Sequence, residues 1–222
     1  MKAITSLTAL VLGASLAATA MAQDTTTEAP QPATAGAGAV AATSGDAPAA
    51  HGAEAAAPEG TAAGDDAPVE MAEGQTTLPN GMDITPVTQE NGRWYNAEGI
   101  PTFKIDGKVV DFATFNGFRR YHAECHVCHG PDGEGSTYAP ALKNSVLRMD
   151  YYEFQEVVAS GRQGTNSVMP AFGTNKNVWC YVDDIYVYLL AHGTGEIGRG
   201  RPAERGEKTD EYKAQEESCM SM

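Results

Sequence analysis

Cys125-His126-Val127-Cys128-His129 is the stretch whose reading decides the fold. Two thiols two residues apart reach one side from a single turn of backbone, and an imidazole follows at once. A zinc site would need a second ligand pair at short spacing, but the other two cysteines, Cys180 and Cys219, lie far apart. A thioredoxin-type dithiol would open a helix after a strand. Here the pair ends a helical-looking stretch, and no βαβ pattern surrounds it. Cys-x-x-Cys-His is the attachment pattern of haem c, in which two thioether bonds hold the porphyrin and the adjacent His becomes the proximal iron ligand. The residues therefore assign Cys125 and Cys128 to one covalent haem c and His129 to its iron.

The flanking sequence is organised to hold such a motif. Upstream, Thr102–Ile105 and Lys108–Asp111 flank Asp106-Gly107, a short hairpin signal. Trp94 and Tyr95 just before it are placed to pack on its face. A helix is expected from Phe112 to Val127, with Gly117, Tyr121 and Cys125 on one face at intervals of four. Asp150-Tyr151-Tyr152-Glu153 has the form of a capping box, and Gly161 stops the helix it opens. A last helix is expected from Val178 to His192 with Gly193 as its stop. Tyr181, Ile185, Tyr188, Leu189 and His192 form its apolar stripe. Gly130, Gly133 and Gly135 mark a tight loop after the motif, without the setting of a phosphate cradle.

Residues 1–22 read as a signal peptide: Lys2, an apolar core from Leu7 to Ala18, and Ala20-Met21-Ala22 before Gln23. The apolar run is too short to span a bilayer, and no membrane anchor is expected. The chain is thus read as exported to the periplasm, where spare cysteines pair, so Cys180 and Cys219 are assigned to a disulfide. Residues 23–78 carry nine acidic residues, no Lys or Arg, and little branched or aromatic surface. They are expected to be disordered. Residues 79–193 form the haem domain, and 194–222 a polar tail strapped back by the disulfide. The net charge of −14 makes a nucleic-acid partner a poor fit. It favours encounter with basic patches on proteins, or serves solubility alone.

Gly117 and Tyr121, eight and four residues before Cys125, together with Asp184-Ile185-Tyr186-Val187-Tyr188-Leu189 near the end, resemble the class I cytochromes c. The resemblance implies a mainly α class I cytochrome c fold, here with a short N-terminal β-hairpin extension. It implies Met169, followed by Pro170, as the second axial ligand, with Met149 as the competitor. It also implies that the Pro140 carbonyl accepts from the ring N–H of His129. His122 and His192 sit on helices expected to pack elsewhere.

The segment Phe115-Asn116-Gly117-Phe118-Arg119-Arg120-Tyr121-His122-Ala123-Glu124-Cys125, the His129-Gly130-Pro131-Asp132-Gly133 run and the extra cysteine pair are similar to a narrower family. They resemble the four-cysteine, cytochrome c-L-like cytochromes of methanol metabolism, over residues 93–193. This implies an electron-transfer protein rather than an enzyme. Its donor would be a quinoprotein (pyrroloquinoline quinone-dependent) methanol dehydrogenase, and its acceptor a soluble cytochrome c or a terminal oxidase. Arg119 and Arg120 are read as a solvated helix face, or as partners of haem propionates or of the docking protein. The alternatives are a haem enzyme or gas sensor with an open distal iron site, and a carrier for another periplasmic dehydrogenase.

Overall fold

The computed structural model describes residues 67–72, 74–164 and 167–222. The expected signal peptide 1–22 and most of the acidic segment lie outside them. In chain order the elements are strands β1 (Thr88–Glu90), β2 (Arg93–Tyr95), β3 (Pro101–Thr102), β4 (Ile105–Asp106) and β5 (Val109–Val110). Helices α1 (Phe112–Glu124), α2 (His126–His129), α3 (Leu142–Ser145) and α4 (Tyr151–Ser160) follow. Strands β6 (Arg162–Gln163) and β7 (Val168–Met169), helices α5 (Lys176–Trp179) and α6 (Val182–Gly193), strand β8 (Glu204–Arg205) and helix α7 (Asp210–Ser221) complete the chain. The protein is mainly helical, with small sheets ahead of the haem motif.

Helix α6 is the axis of the core. Val182 and every residue from Asp184 to His192 are buried, so the expected one-sided stripe is too narrow. The other faces are covered as well. Tyr186 packs its ring 5.0 Å from Tyr151 and 5.2 Å from Phe154 on α4. Tyr188 lies 5.5 Å from Tyr121 and 5.7 Å from Phe118 on α1. Helix α1 crosses α6 at Gly117, where a Cβ would sit 1.8 Å from the Asp184 carbonyl oxygen and 2.7 Å from the Tyr188 Cβ. Only a residue without a side chain allows that approach. Gly193 plays a similar part. It is the last residue of α6, in line with the expected stop, with the Lys143 carbonyl oxygen 2.3 Å from where a Cβ would be.

Helices α1 and α4 each start on a side-chain cap. Asp111 accepts from the Thr114 N–H at 2.9 Å, the Thr114 hydroxyl at 2.7 Å and the Lys104 N–H at 2.8 Å. One carboxylate thereby ties the hairpin to α1. Burial pushes the Asp111 carboxyl up, against those donors. Asp150 caps α4 by accepting from the Glu153 N–H at 2.8 Å, and α4 ends at Gly161 with φ 75°.

Several expected boundaries move. Strands β4 and β5 pair Asp106 with Val109, so the hairpin loop is Gly107-Lys108 and not Asp106-Gly107. Gly107, at φ 62°, supplies the positive φ at the first loop position. Trp94 does lie against the expected hairpin's first segment, at Thr102 and Lys104, but as part of a sheet of its own. It sits in a separate antiparallel sheet, β1-β2-β3, with the Lys104 ammonium 4.2 Å from its ring centroid. Helix α1 stops at Glu124, because Cys125 turns off the axis at φ −111° before α2 begins. The last helix is two helices. Tyr181, at φ −130°, breaks the chain between α5 and α6.

The domain also starts earlier than 79 and ends later than 193. Leu78 is 3% exposed, and Val69 and Met71 pack against the core. Composition alone assigned these apolar side chains to the acidic segment, but they find apolar partners. At the other end the polar tail is structured. β8 pairs in parallel with β5, and α7 buries Tyr212 completely. The Cys180–Cys219 disulfide is formed.

Tyr212 reaches a buried charge cluster. Asp184 accepts from Arg93 Nε at 2.7 Å, from Asn116 Nδ2 at 2.8 Å and from the Tyr212 hydroxyl. Complete burial pushes the Asp184 carboxyl upward, and Arg93 with the two other donors pulls it back. Asp184 in turn strengthens the hold of Arg93 on its proton, against burial. A guanidinium keeps its proton in proteins. A neutral Asp184 would therefore leave a bare buried cation, and the pair is held ionised.

Gly117→Ala is expected to destabilise the holoprotein by about 3 kcal/mol in urea unfolding, the upper range for overpacking a closed core. An unchanged midpoint would contradict the close crossing of α1 on α6.

Candidate haem site

The motif is built by one turn of helix. The Cys125 N–H donates to the Tyr121 carbonyl at 2.8 Å, so α1 delivers Cys125 in register. The Cys125 carbonyl then accepts from Cys128 at 3.2 Å and from His129 at 3.0 Å. Neither thiol is in a disulfide. Cys125 is half-buried and Cys128 exposed. Burial first, then Glu124 and Cys128, pushes the Cys125 thiol up to about 12, so it is protonated at neutral pH.

His129 is 6% exposed. Its Nδ1 lies 3.0 Å from the Pro140 carbonyl oxygen. A carbonyl only accepts, so Nδ1 carries the proton and Nε2 keeps its lone pair. Burial holds the imidazole below its usual range, with the Pro140 bond opposing. The ring is therefore neutral and oriented, with one nitrogen able to bind iron.

The loop that brings Pro140 to His129 is folded onto itself. The Gly135 N–H donates to the His129 carbonyl at 2.8 Å. A Cβ on Gly130, at φ 73°, would meet the Gly135 carbonyl oxygen at 2.3 Å. The Tyr121 hydroxyl donates to the Gly130 carbonyl at 2.6 Å. Tyr121 has no exposure, and burial pushes its hydroxyl well above the usual range, so it stays a donor. Ser136 donates its hydroxyl to the Cys128 carbonyl.

Other sequence-derived residues are placed as follows. Met169 is in β7, half-buried at the margin of the core and paired with Arg162 of β6. Met149 is also packed at the core margin, and its carbonyl accepts from Asn80 Nδ2 at 2.9 Å. His122 bonds through Nδ1 to the Phe118 carbonyl at 2.9 Å, with Nε2 3.7 Å from Asp132. His192 is buried between α6 neighbours, its ring 6.1 Å from Tyr188. Arg120 is not simply a solvated residue, since its guanidinium lies 3.5 Å above the Tyr181 ring and 3.9 Å from Glu216.

Sequence reasoning missed two groups that shape this site. Asp132, 4% exposed at φ 58°, accepts from the Tyr188 hydroxyl and the Gly200 N–H, each at 3.1 Å. The Pro131-Asp132-Gly133 turn signal was legible, but the inward aim of its carboxylate was not. The hydroxyl of Tyr121 was the other. Its ring position was readable from the spacing, but its bond to Gly130 depends on how the loop returns.

The comparisons with known proteins fall on this core. A family model described as cytochrome c oxidase, cbb3-type, subunit III, matches residues 113–189, from α1 through most of α6. Cytochrome c-553I of Paracoccus denitrificans is 67% identical over 158 residues, 69% of this chain and 70% of that protein. The chain belongs to the class I c-type cytochromes. Cytochrome c-555 of Methylococcus capsulatus is 41% identical over 92 residues, 41% of this chain and 72% of that one. The crystal structure of the c-type cytochrome XoxG from Methylobacterium extorquens AM1 matches with a TM-score of 0.58 and 51% identity. It covers 65% of this chain and 96% of that chain.

Membership in this family of electron carriers implies c-type haem, and the side chains present fit it. Two unpaired thiols sit one helical turn apart, and beside them a buried neutral imidazole has Nδ1 fixed by a carbonyl. Among the described residues, no group of three or more His, Cys, Asp or Glu is arranged to hold a metal ion, so the zinc reading has no second ligand pair.

Tyr121→Phe leaves the Gly130 carbonyl without its donor. The expected cost is roughly 1–3 kcal/mol in urea unfolding with haem content unchanged. No measurable loss would mean that the hydroxyl does not hold the loop.

Proposed function

We propose that this cytochrome is an exported one-electron carrier between a quinoprotein methanol dehydrogenase and a soluble cytochrome c or terminal oxidase. In this reading Cys125 and Cys128 hold haem c by thioether bonds, and His129 and Met169 are the axial ligands of its iron. Bound there, the haem supplies a reversible one-electron couple. The observation that carries the reading is His129. Its Nδ1 is bonded to the Pro140 carbonyl, its ring is neutral, and it lies beside two unpaired thiols.

Each residue has a physical task. Pro140 fixes the tautomer and plane of His129 and strengthens it as a ligand. Met169 supplies a thioether, which favours ferrous over ferric iron and raises the potential. A sixth ligand also leaves no open position for a substrate, which suits a carrier. Cys125 is half-buried against the core, and the exposed Cys128 would place its thioether on the side nearer to solvent. Electron exchange is assigned to that side.

The donor is inferred from the likeness of residues 93–193 to the four-cysteine cytochromes of methanol metabolism, and the 51% identity to XoxG is in line with it. Residues 1–22, read as a signal peptide, support a periplasmic setting, and no described helix is long and apolar enough to cross a membrane.

Stopped-flow mixing of the ferric protein with purified methanol dehydrogenase and methanol is expected to reduce the haem fully. The rate should saturate with dehydrogenase and fall as salt rises. Reduction no faster than without methanol would remove this dehydrogenase as the donor.

A further inference from the structure

Acidic residues outnumber basic ones almost two to one in this chain, 29 against 15. About half of the described lysines and arginines have a carboxylate within 4 Å. Arg119, Arg201 and Arg205 do not, and all three converge on one cavity of about 290 Å³ between α1 and the C-terminal strap. That volume is near the lower end for small-molecule sites and equals the liquid volume of about ten waters.

The walls of the cavity are specific. Its floor is made by the Phe112 and Phe115 rings, both buried. Arg205 lies 5.0 Å from the Phe115 centroid and 5.5 Å from that of Phe112, and Arg201 lies 5.1 Å from Phe115. These cation–π contacts hold two guanidiniums over one ring and orient them. Lys208 adds a fourth positive group, 5.7 Å from the Phe112 centroid. Asn116 also lines the cavity, but its Nδ2 is engaged by Asp184 and Tyr212. The one carboxylate on the wall is Glu216, already engaged by Lys208 and by the Tyr181 hydroxyl at 2.8 Å. Cations gathered around a single bridged carboxylate repel one another, and among the described residues none of the three arginines has a carboxylate within 4 Å.

We propose that this cavity is a binding site for a small organic polycarboxylate. Guanidiniums in a fixed fork match carboxylate oxygens in pairs, and several of them select an anion carrying more than one such group. The phenyl floor suits a carbon skeleton better than a bare inorganic ion. Residues from α1, β8 and the loop before α7 all contribute, so the ligand bridges the strap to the helix that leads into the haem motif. Occupancy therefore stabilises the docked strap.

Isothermal titration of the purified holoprotein with citrate tests this, with ionic strength held constant by sodium chloride and inorganic phosphate as the comparison. The expected result is saturable one-site citrate binding, at least tenfold tighter than phosphate. Binding should weaken at least tenfold in R201Q/R205Q and in the single variant Arg119→Gln. It should be unchanged in Lys108→Gln, which removes an equal charge outside the cavity. An unaltered visible spectrum and melting temperature without ligand check that the variants are folded. No saturable citrate heat, equal binding by R201Q/R205Q, or phosphate binding as tightly as citrate would each overturn the proposal.

Discussion

The architecture depends on one residue, Asp184, which acts through its backbone and its side chain at once. Its carbonyl oxygen is the surface on which α1 rests, at the one position, Gly117, where no Cβ intervenes. Its carboxylate is fully buried and binds Arg93 of β2, Asn116 of α1 and Tyr212 of α7. Taking such an ion pair out of water costs several kcal/mol per ion unless every lone pair is met. Here the N-terminal sheet, the helix entering the motif and the C-terminal strap each supply a donor. Three segments distant in sequence are thus fixed to α6 by one charge.

The haem site inherits its geometry from that crossing. Tyr121 and Cys125 follow Gly117 by one and two turns of α1, about 6 and 12 Å along the axis. The crossing therefore sets the height of the Tyr121 hydroxyl and of the first thiol together. Tyr121 then holds the Gly130 carbonyl, and the glycine-rich loop returns to bring the Pro140 carbonyl to His129. Burial at each step favours neutral groups: the Cys125 thiol, the Tyr121 hydroxyl and the His129 imidazole all stay uncharged. Such an environment keeps water away from the His129 imidazole.

Much of this was legible in the chain because it is written in local spacing. The helical positions of Gly117, Tyr121 and Cys125, the Asp150 cap and the Cys180–Cys219 pairing all follow from residue type and interval. What was not legible depends on tertiary return. The buried faces of α6 were underestimated because α4 and the C-terminal strap cover sides that a single stripe leaves open. Helix α7 is polar in sequence and was read as a tail. It is docked by Tyr212 meeting Asp184, by Glu216 accepting from Tyr181 and by the Cys180–Cys219 disulfide. Leu78 was assigned to the acidic segment by its neighbours' composition, whereas its own side chain is in the core. Gly193 ends α6 as its residue type suggests, but the close passage of α3 against it was not readable.

The proposed closure of the iron by His129 and Met169 would make this protein a carrier rather than a site for substrates. The optical spectrum of the ferric holoprotein tests it most directly, compared between the native chain and Met169→Ala. A weak sulfur-to-iron charge-transfer band in the red, present in the native protein and lost in the variant, with carbon monoxide bound rapidly only by the reduced variant, is the predicted result. A folded native protein without that band, whose reduced form binds carbon monoxide as fast as Met169→Ala, would contradict the account.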